Sequence, residues 1–333
     1  MTAVVTGASG HIGANLVRAL IDRGERVRVL AHRNTVPFDG LDVEVVRGDV
    51  LDGDSLTRAF GGGDILYHLA AVISIEGDPD GMVHRVNVDG AGNAAEAALA
   101  AGVRRMVHCS SVHAFDMHTG AAVIDESSAR VPEDSGSHAA YDRSKADGER
   151  RVRSFINEGL DTVIVHPTGV IGPRDFEPSR MGHFFLRLQE RSLPSLVRGS
   201  FDFVDVGDVV SGMLAAAERG GSGESYLLSG HRHTVSDLAR MAEAATGVRG
   251  PRLTVPMWLA RAGVPFIKGV ARLTGNAPLY TAESLAALRS SPRIDRSKAA
   301  RELGYSARPI AGSVRDAYGW FAEAGRISGT SDE

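Results

Sequence analysis

A doubly wound α/β fold, a parallel sheet with a smaller C-terminal lobe, is predicted by two observations. The chain opens on a strand, a glycine turn and a helix, and short apolar runs then alternate with helical stretches up to about residue 172. In the opening Val4-Val5-Thr6-Gly7-Ala8-Ser9-Gly10-His11-Ile12-Gly13, six residues precede three glycines. Behind them Leu16, Val17, Leu20 and Ile21 recur with helical spacing. Glycines let a backbone turn sharply and approach a pyrophosphate, while the free N–H groups and dipole of a helix N-terminus attract negative charge. The Gly-x-x-Gly-x-x-Gly spacing departs from the common Gly-x-Gly-x-x-Gly, and a plain turn is the competing reading.

Length and composition narrow the class. A chain of 333 residues buries a full core with room for a second lobe, and 43% hydrophobic with 23% charged residues describes an ordinary soluble protein. Lys plus Arg number 37 against 41 Asp plus Glu, a net charge of -4 that argues against nucleic acid as a partner. The single Cys109 excludes an internal disulfide framework and fits a reducing compartment. Met1-Thr2-Ala3 leads straight into the first strand without a signal peptide, and no uncharged apolar run reaches the length of a membrane span. A cytoplasmic location with no membrane insertion is expected.

After the first helix, Gly24 is a stop and residues 26–31 read as the second strand. A fold that selects a ribose 2′-hydroxyl places Asp or Glu at this strand end, whereas an arginine there accommodates a 2′-phosphate. The sequence has Ala31, His32 and Arg33, which favours NADP over NAD, with NAD the alternative and a solvated loop the plain reading of Arg33. Residues 43–46 make a third strand, followed by Gly48-Asp49-Val50; Asp49 is placed to accept from an adenine amino group. Asp52-Gly53-Asp54 starts a helix that ends at Gly61. Residues 65–71 form the fourth strand, closing on Leu69, Ala70 and Ala71, small enough at the end to admit a cofactor close to the backbone. An alanine-rich helix covers 86–101, with Asn87 near its start a candidate for bonding backbone.

The fifth strand, 106–111, delivers Ser110 and Ser111 to the carboxyl edge where open α/β sheets bind ligands. Tyr141-Asp142-Arg143-Ser144-Lys145 then opens a helix, placing Tyr141 and Lys145 one turn apart on one face. With the glycine turn, His68-Leu69-Ala70-Ala71, Pro167-Thr168-Gly169-Val170-Ile171-Gly172-Pro173 and Phe203-Val204-Asp205-Val206-Gly207-Asp208-Val209, these segments resemble the extended short-chain dehydrogenase/reductases (the NAD-dependent epimerase/dehydratase family). The pattern is nearest to the dihydroflavonol-reductase-like members. The resemblance implies a Rossmann domain and hydride transfer assisted by Tyr141, Lys145 and Ser111, with Ser110 the alternative serine. It also implies a cofactor held by Gly7, Ser9, Gly10, His11, Ile12, Gly13, His32, Arg33, Asp49, Val50, Leu69, Ala70, Ala71, Tyr141, Lys145 and the Pro167, Thr168, Gly169, Val170 run. Tyr141 would give or take the substrate proton, with Lys145 favouring the tyrosinate.

Residues 1–172 are expected to form the dinucleotide-binding domain, with 203–228 returning to it, and 173–202 and 229–330 the substrate lobe. Sugar-nucleotide members usually carry an arginine where Phe201 stands, and Ser111-Val112-His113 lacks the Thr-Asp-Glu of the sugar dehydratases. A phenylalanine cannot make a bidentate phosphate contact, which favours a reductase or dehydrogenase acting on a fairly apolar ketone, aldehyde or alcohol. A nucleotide-sugar epimerase with tightly bound NAD and a non-catalytic NADP-sensing protein are the alternatives. Phe176, Met181, Phe184, Phe185, Leu186 and Leu188 fit an apolar pocket, or more economically an ordinary core. Residues 253–273, with Val264, Pro265, Phe266 and Ile267, allow a membrane-surface contact as the lesser reading.

No metal is expected, since His231-Arg232-His233 lacks neighbouring carboxylate or cysteine ligands and reads as a loop. Cys109 reads as a core filler, and the arginine-rich stretch 143–153, with Asp147 and Glu149, as a solvated helix face. A homodimer is expected, with Ala94, Ala98 and the helix from Lys145 to Phe155 at its face.

Overall fold

A computed structural model describes residues 1–75, 77–259 and 292–327. The chain begins with β1 (Thr2–Thr6), α1 (His11–Asp22), β2 (Arg26–Ala31) and β3 (Glu44–Arg47). α2 (Gly53–Phe60) is capped by the Asp52 carboxylate, which accepts from the Asp54 N–H. β4 (Ile65–His68) stops short of the apolar run, leaving residues 69–71 as loop beyond the strand end. The stretch read as one helix is α3 (Met82–His84), a π turn Arg85–Asp89 and α4 (Gly90–Ala100). Inside that turn the Asn87 amide bonds both Val72 N–H and Val72 carbonyl, and donates to Ser144 Oγ at 2.9 Å. One side chain thus ties the loop after β4 to the helix that carries Tyr141.

β5 (Arg105–Cys109) and β6 (Val123–Ile124) precede α5 (Ala140–Asn157), β7 (Thr162–Pro167) and β8 (Gly169–Ile171). Then come α6 (Arg180–Gln189), β9 (Leu196–Val197), β10 (Ser200–Asp205), α7 (Val206–Arg219) and β11 (Ser225–Leu228). β12 (His231–Thr234), α8 (Val235–Thr246), β13 (Thr254–Val255), β14 (Arg293–Ile294), α9 (Ser297–Leu303) and α10 (Ile310–Glu323) complete the described elements.

The large sheet runs β11-β7-β5-β4-β1-β2-β3, and every neighbouring pair is parallel. The chain walks outward from β1 to β3, then returns to place β4 on the other side of β1. That reversal opens a crevice at the carboxyl ends of β1 and β4, the place where such sheets hold ligands. β1 is buried on both faces: Ala3 and Val5 pack with Leu16 and Leu20 of α1 and Met213 of α7, and Val4 with Phe60 of α2, Ala94 of α4 and Phe155 of α5.

Packing revises several expectations. β10 pairs with β8 and β12 in a separate three-stranded sheet, while its Val204 packs with α7 and β11 in the large sheet's core. Ala299, Leu303 and Tyr305 also pack there, against α7. His231-Arg232-His233 is not a loop but strand β12, because antiparallel pairing with β10 sets Phe201 opposite His233. Ala94, Ala98 and Phe155 are buried within this chain, while Arg151 of α5 is exposed. Phe184, Phe185 and Leu188 take the ordinary-core alternative, packed with Leu238 of α8 and Val314 and Phe321 of α10. Among the described residues no helix is long and apolar enough to cross a membrane, and Val264, Pro265, Phe266 and Ile267 lie outside them.

Candidate active site

Six strand ends, those of β1, β2, β3, β4, β5 and β7, lie along one edge of the sheet, and each brings a segment the sequence singled out. The turn after β1 is built for glycine. Gly7 sits at φ +65°, where a Cβ would lie 2.5 Å from the Ala70 nitrogen; at Gly13 it would lie 2.3 Å from the Gly7 carbonyl oxygen. Gly10 is looser, its Cβ position being 3.3 Å from that same oxygen. Gly10 is also the N-cap of α1 and offers no side chain to the first N–H groups of the helix, which have no intrahelical acceptor. Backbone donors at a positive helix end beside glycines that leave room for close approach fit a dinucleotide pyrophosphate.

His11 and Asn15 anchor the same helix end to the far side of the crevice. His11 Nε2 lies 3.1 Å from the Pro173 carbonyl, and Asn15 Nδ2 donates to it at 3.0 Å. His11 would therefore offer its main chain, not its ring, to a cofactor. Ser9 and Ile12 are half-buried at the same turn. Leu69, Ala70 and Ala71 are also half-buried, and the backbone of Leu69 and Ala70 lies where a side chain at Gly7 would collide.

Past β2, His32 and Arg33 are both exposed. His32 Nε2 stands 3.4 Å from Asp49 Oδ2, while Asp49 Oδ1 accepts from Leu51 N–H at 2.9 Å. The strand end carries no carboxylate of its own, and Arg33 has no ion pair among the described residues. Val50 is buried against Gly90 of α4.

The polar cluster forms at the ends of β5 and the start of α5. The Tyr141 phenol lies beside the Ser111 hydroxyl. Ser111 Oγ accepts from the His113 N–H at 3.2 Å. Ser110 turns the other way, its buried hydroxyl without a partner among the described residues. Burial pushes the Tyr141 phenol well above its ordinary range against the opposing Ser111 hydroxyl, with Cys109 and Asp142 adding to the rise. Lys145 is buried at the same edge. Its Nζ donates to the Cys109 carbonyl at 3.1 Å, and burial lowers its pKa. Burial also pushes the Cys109 thiol up to about 11, the state of an inert core residue.

Across the crevice, Thr168 Oγ1 donates to Asp202 Oδ1 at 2.6 Å, and Gly230 N–H donates to that oxygen at 2.8 Å. This fixes the turn between Pro167, Gly169 and Val170. A Cβ at Gly169 would lie 2.8 Å from Phe203.

Two site residues carry no local signal in the sequence. His113 packs edge-on against Tyr141 with ring centroids 5.6 Å apart, and its Nδ1 is 2.9 Å from Asp142 Oδ1. Phe201 of β10 stacks on the other side of the His113 ring at 5.7 Å. Phenylalanine, imidazole and phenol therefore stand side by side along one wall. Only the absence of an arginine at position 201 hinted at this.

Beneath the wall, Glu149 corrects the reading of α5 as a solvated face. The residue is 2% exposed. Its Oε2 lies 2.8 Å from His166 Nε2, and its Oε1 accepts from Arg130 at 3.1 Å and Arg153 at 3.0 Å. The helix turns this face inward because partners from two other segments meet it there.

A crevice of this topology, with a glycine-built phosphate cradle and a Ser–Tyr–Lys cluster on its edge, defines an NAD(P)-dependent enzyme of the extended short-chain dehydrogenase/reductase type. The chain belongs to the NAD dependent epimerase/dehydratase family, whose profile matches residues 3–229. It is 38% identical over 332 residues to sterol demethylase protein B of Methylococcus capsulatus, covering 98% of this chain and 100% of that one. It is 30% identical over 315 residues, 92% of each chain, to the 4-hydroxy-2-methyl-3-oxo-4-farnesyl-3,4-dihydroquinoline-1-oxide ketoreductase of Stigmatella aurantiaca. Among solved structures, gox2253 matches with a TM-score of 0.84 and 33% identity, over 98% of this chain and 99% of the other.

Proposed function

We propose that the protein is an NADPH-dependent reductase of a ketone or aldehyde on a fairly apolar small molecule, or the dehydrogenase of the corresponding alcohol. The observation that carries this reading is the Phe201–His113–Tyr141 wall. It sets an apolar ring where a nucleotide-sugar enzyme needs a cation for the substrate diphosphate. The sterol and the farnesylated quinoline in the names of the two relatives support the same substrate class.

When bound, the reduced nicotinamide supplies the hydride. In the reductive direction Tyr141, held protonated, donates its proton to the carbonyl oxygen, and Ser111 hydrogen-bonds that oxygen as negative charge develops. Lys145 and the Thr168–Val170 turn hold the nicotinamide end, the glycine turn and α1 the pyrophosphate, and Arg33 the 2′-phosphate.

A screen of apolar ketones and aldehydes with NADPH and NADH in parallel tests the reading, with NADPH oxidation as the expected signal. Stoichiometric NAD released on denaturing the purified protein, with no net turnover, would instead identify an epimerase; NADPH binding without turnover of any substrate would identify a sensor. Arg33→Ala is expected to weaken NADPH binding roughly tenfold or more, the scale of one lost charge-assisted contact, and NADH binding hardly at all, as measured by fluorescence titration. Phe201→Ala is expected to raise KM for an apolar substrate by about tenfold while kcat changes little, because it removes ground-state and transition-state contact alike.

A further inference from the structure

Three side chains that no metal-ligand spacing links in the sequence meet outside the crevice. Asp116 and His118 stand on the turn after β5, and His138 just ahead of α5. One donor atom from each lies within 4.8 Å of the other two. The imidazoles of His118 and His138 stack at 4.5 Å. We propose that Asp116, His118 and His138 form a binding site for a divalent transition metal of the zinc class, with water completing the coordination.

The donor set has the right chemistry. Two imidazoles and one carboxylate suit zinc and its neighbours, whereas calcium and magnesium prefer oxygen throughout. The geometry needs one rearrangement, since stacked rings aim their lone pairs along parallel planes and His118 must swing out of the stack to converge with the other two donors. Tetrahedral zinc with bonds of about 2.1 Å separates its ligand atoms by roughly 3.4 Å. His138 Nε2 and Asp116 Oδ1 are now 3.0 Å apart, so a small expansion of that pair, with closure of the third donor, admits an ion.

The surroundings also resemble those of a metal ligand. His138 is buried, and the Ser135 and Ser137 hydroxyls both lie within hydrogen-bond reach of its Nδ1. By accepting the Nδ1 proton they leave Nε2 free to donate its lone pair, the outer-partner arrangement seen around ligating histidines. Asp116 Oδ1 accepts from the His118 N–H at 2.8 Å, fixing the carboxylate, and its Oδ2 has no hydrogen bond among the described residues. The turn is itself anchored, since Asp116 N–H donates to the Ala129 carbonyl at 2.8 Å. An ion here would staple the exit of β5, which carries Ser111, to the segment that enters α5 three residues before Tyr141. The competing description is a plain His138–Asp116 hydrogen bond beside a solvent-facing His118.

Full-length protein without an affinity tag, stripped with a chelator, distinguishes them. Zinc titrated by calorimetry, and cobalt followed by its visible absorption, should each bind at one equivalent per chain, with cobalt giving the intense bands of four-coordination. His118→Ala removes an exposed ligand without touching the His138–Asp116 pair and should weaken both metals by at least about tenfold. Asp116→Asn should do the same, whereas His233→Ala on β12 should leave binding unchanged. Circular dichroism melts confirm that each variant is folded. Failure of the wild type to bind one equivalent, or binding equal in wild type and His118→Ala, overturns the proposal. The site is independent of the reductase reading, and neither result bears on the other.

Discussion

Tyr141→Phe is expected to lower turnover by roughly 10²- to 10⁴-fold, the usual contribution of a positioned proton donor, with substrate and cofactor affinity within a few-fold of wild type. The phenylalanine keeps the ring that packs against His113 and loses only the hydroxyl beside Ser111. Steady-state kinetics with NADPH and an apolar ketone, alongside direct cofactor titration, separates the two effects. Unchanged turnover would remove Tyr141 from the chemistry.

The pH dependence follows from the direction of the shift. Burial holds the phenol above its ordinary range, so Tyr141 stays protonated through neutral pH and reduction should be flat there with respect to this group. Alcohol oxidation, which needs the tyrosinate, should rise as pH increases toward the alkaline range. Alcohol oxidation that stays flat or falls as pH rises into the alkaline range would assign the proton to another group.

The parts of the molecule legible in the sequence are those whose cause is local. The turn from Gly7 to Gly13 is recognisable because positive φ and close backbone approach exclude other residues there. The second strand has its expected bounds, Arg26–Ala31, because an apolar run between two polar turns has one plausible conformation. Asp52 caps α2 as its type and position suggest.

What was not legible depends on partners far away in the chain. Residues 231–233 are polar enough for a loop until β10 supplies the hydrogen bonds that make them a strand. The helix expected over 86–101 begins earlier, at Met82, and passes through a π turn in which Asn87 bonds Val72 and Ser144. In the candidate site, the residues named from the motif lie around the crevice, and Ser111, not Ser110, meets Tyr141. The His113 ring, however, becomes part of that wall only when Phe201 arrives from the second sheet. Nor could the spacing of Tyr141 and Lys145 show that the buried ammonium donates to the Cys109 carbonyl.

Glu149→Gln is expected to destabilise the fold by about 3–5 kcal/mol, the cost of removing one partner from a buried charge network. Arg130, Arg153 and His166 would keep their positions around a neutral amide, and the two guanidiniums would lose the charge they share. Against a total stability of about 5–15 kcal/mol, that loss lowers the melting temperature by several degrees and brings the chain near its unfolding threshold. Urea unfolding at neutral pH measures it directly.

The acid limb gives a second, independent reading. Burial opposes the charge on Glu149, but His166, Arg130 and Arg153 outweigh it and leave the carboxyl well below the usual carboxylate range. A depressed folded pKa means that the unfolded chain takes up the proton first. The stability that Glu149 contributes is therefore complete above the ordinary carboxyl value of 4.5 and lost progressively as pH falls below it. His166, whose pKa burial lowers despite Glu149, adds loss in the same direction beginning near the ordinary imidazole value of 6.5. The wild type should thus weaken steadily on acidification below pH 6.5, and the Gln variant should start lower and lose the Glu149 part of the slope. Parallel acid limbs in the two proteins would place the carboxylate's stabilising role elsewhere, since a neutral amide cannot reproduce a proton-linked slope.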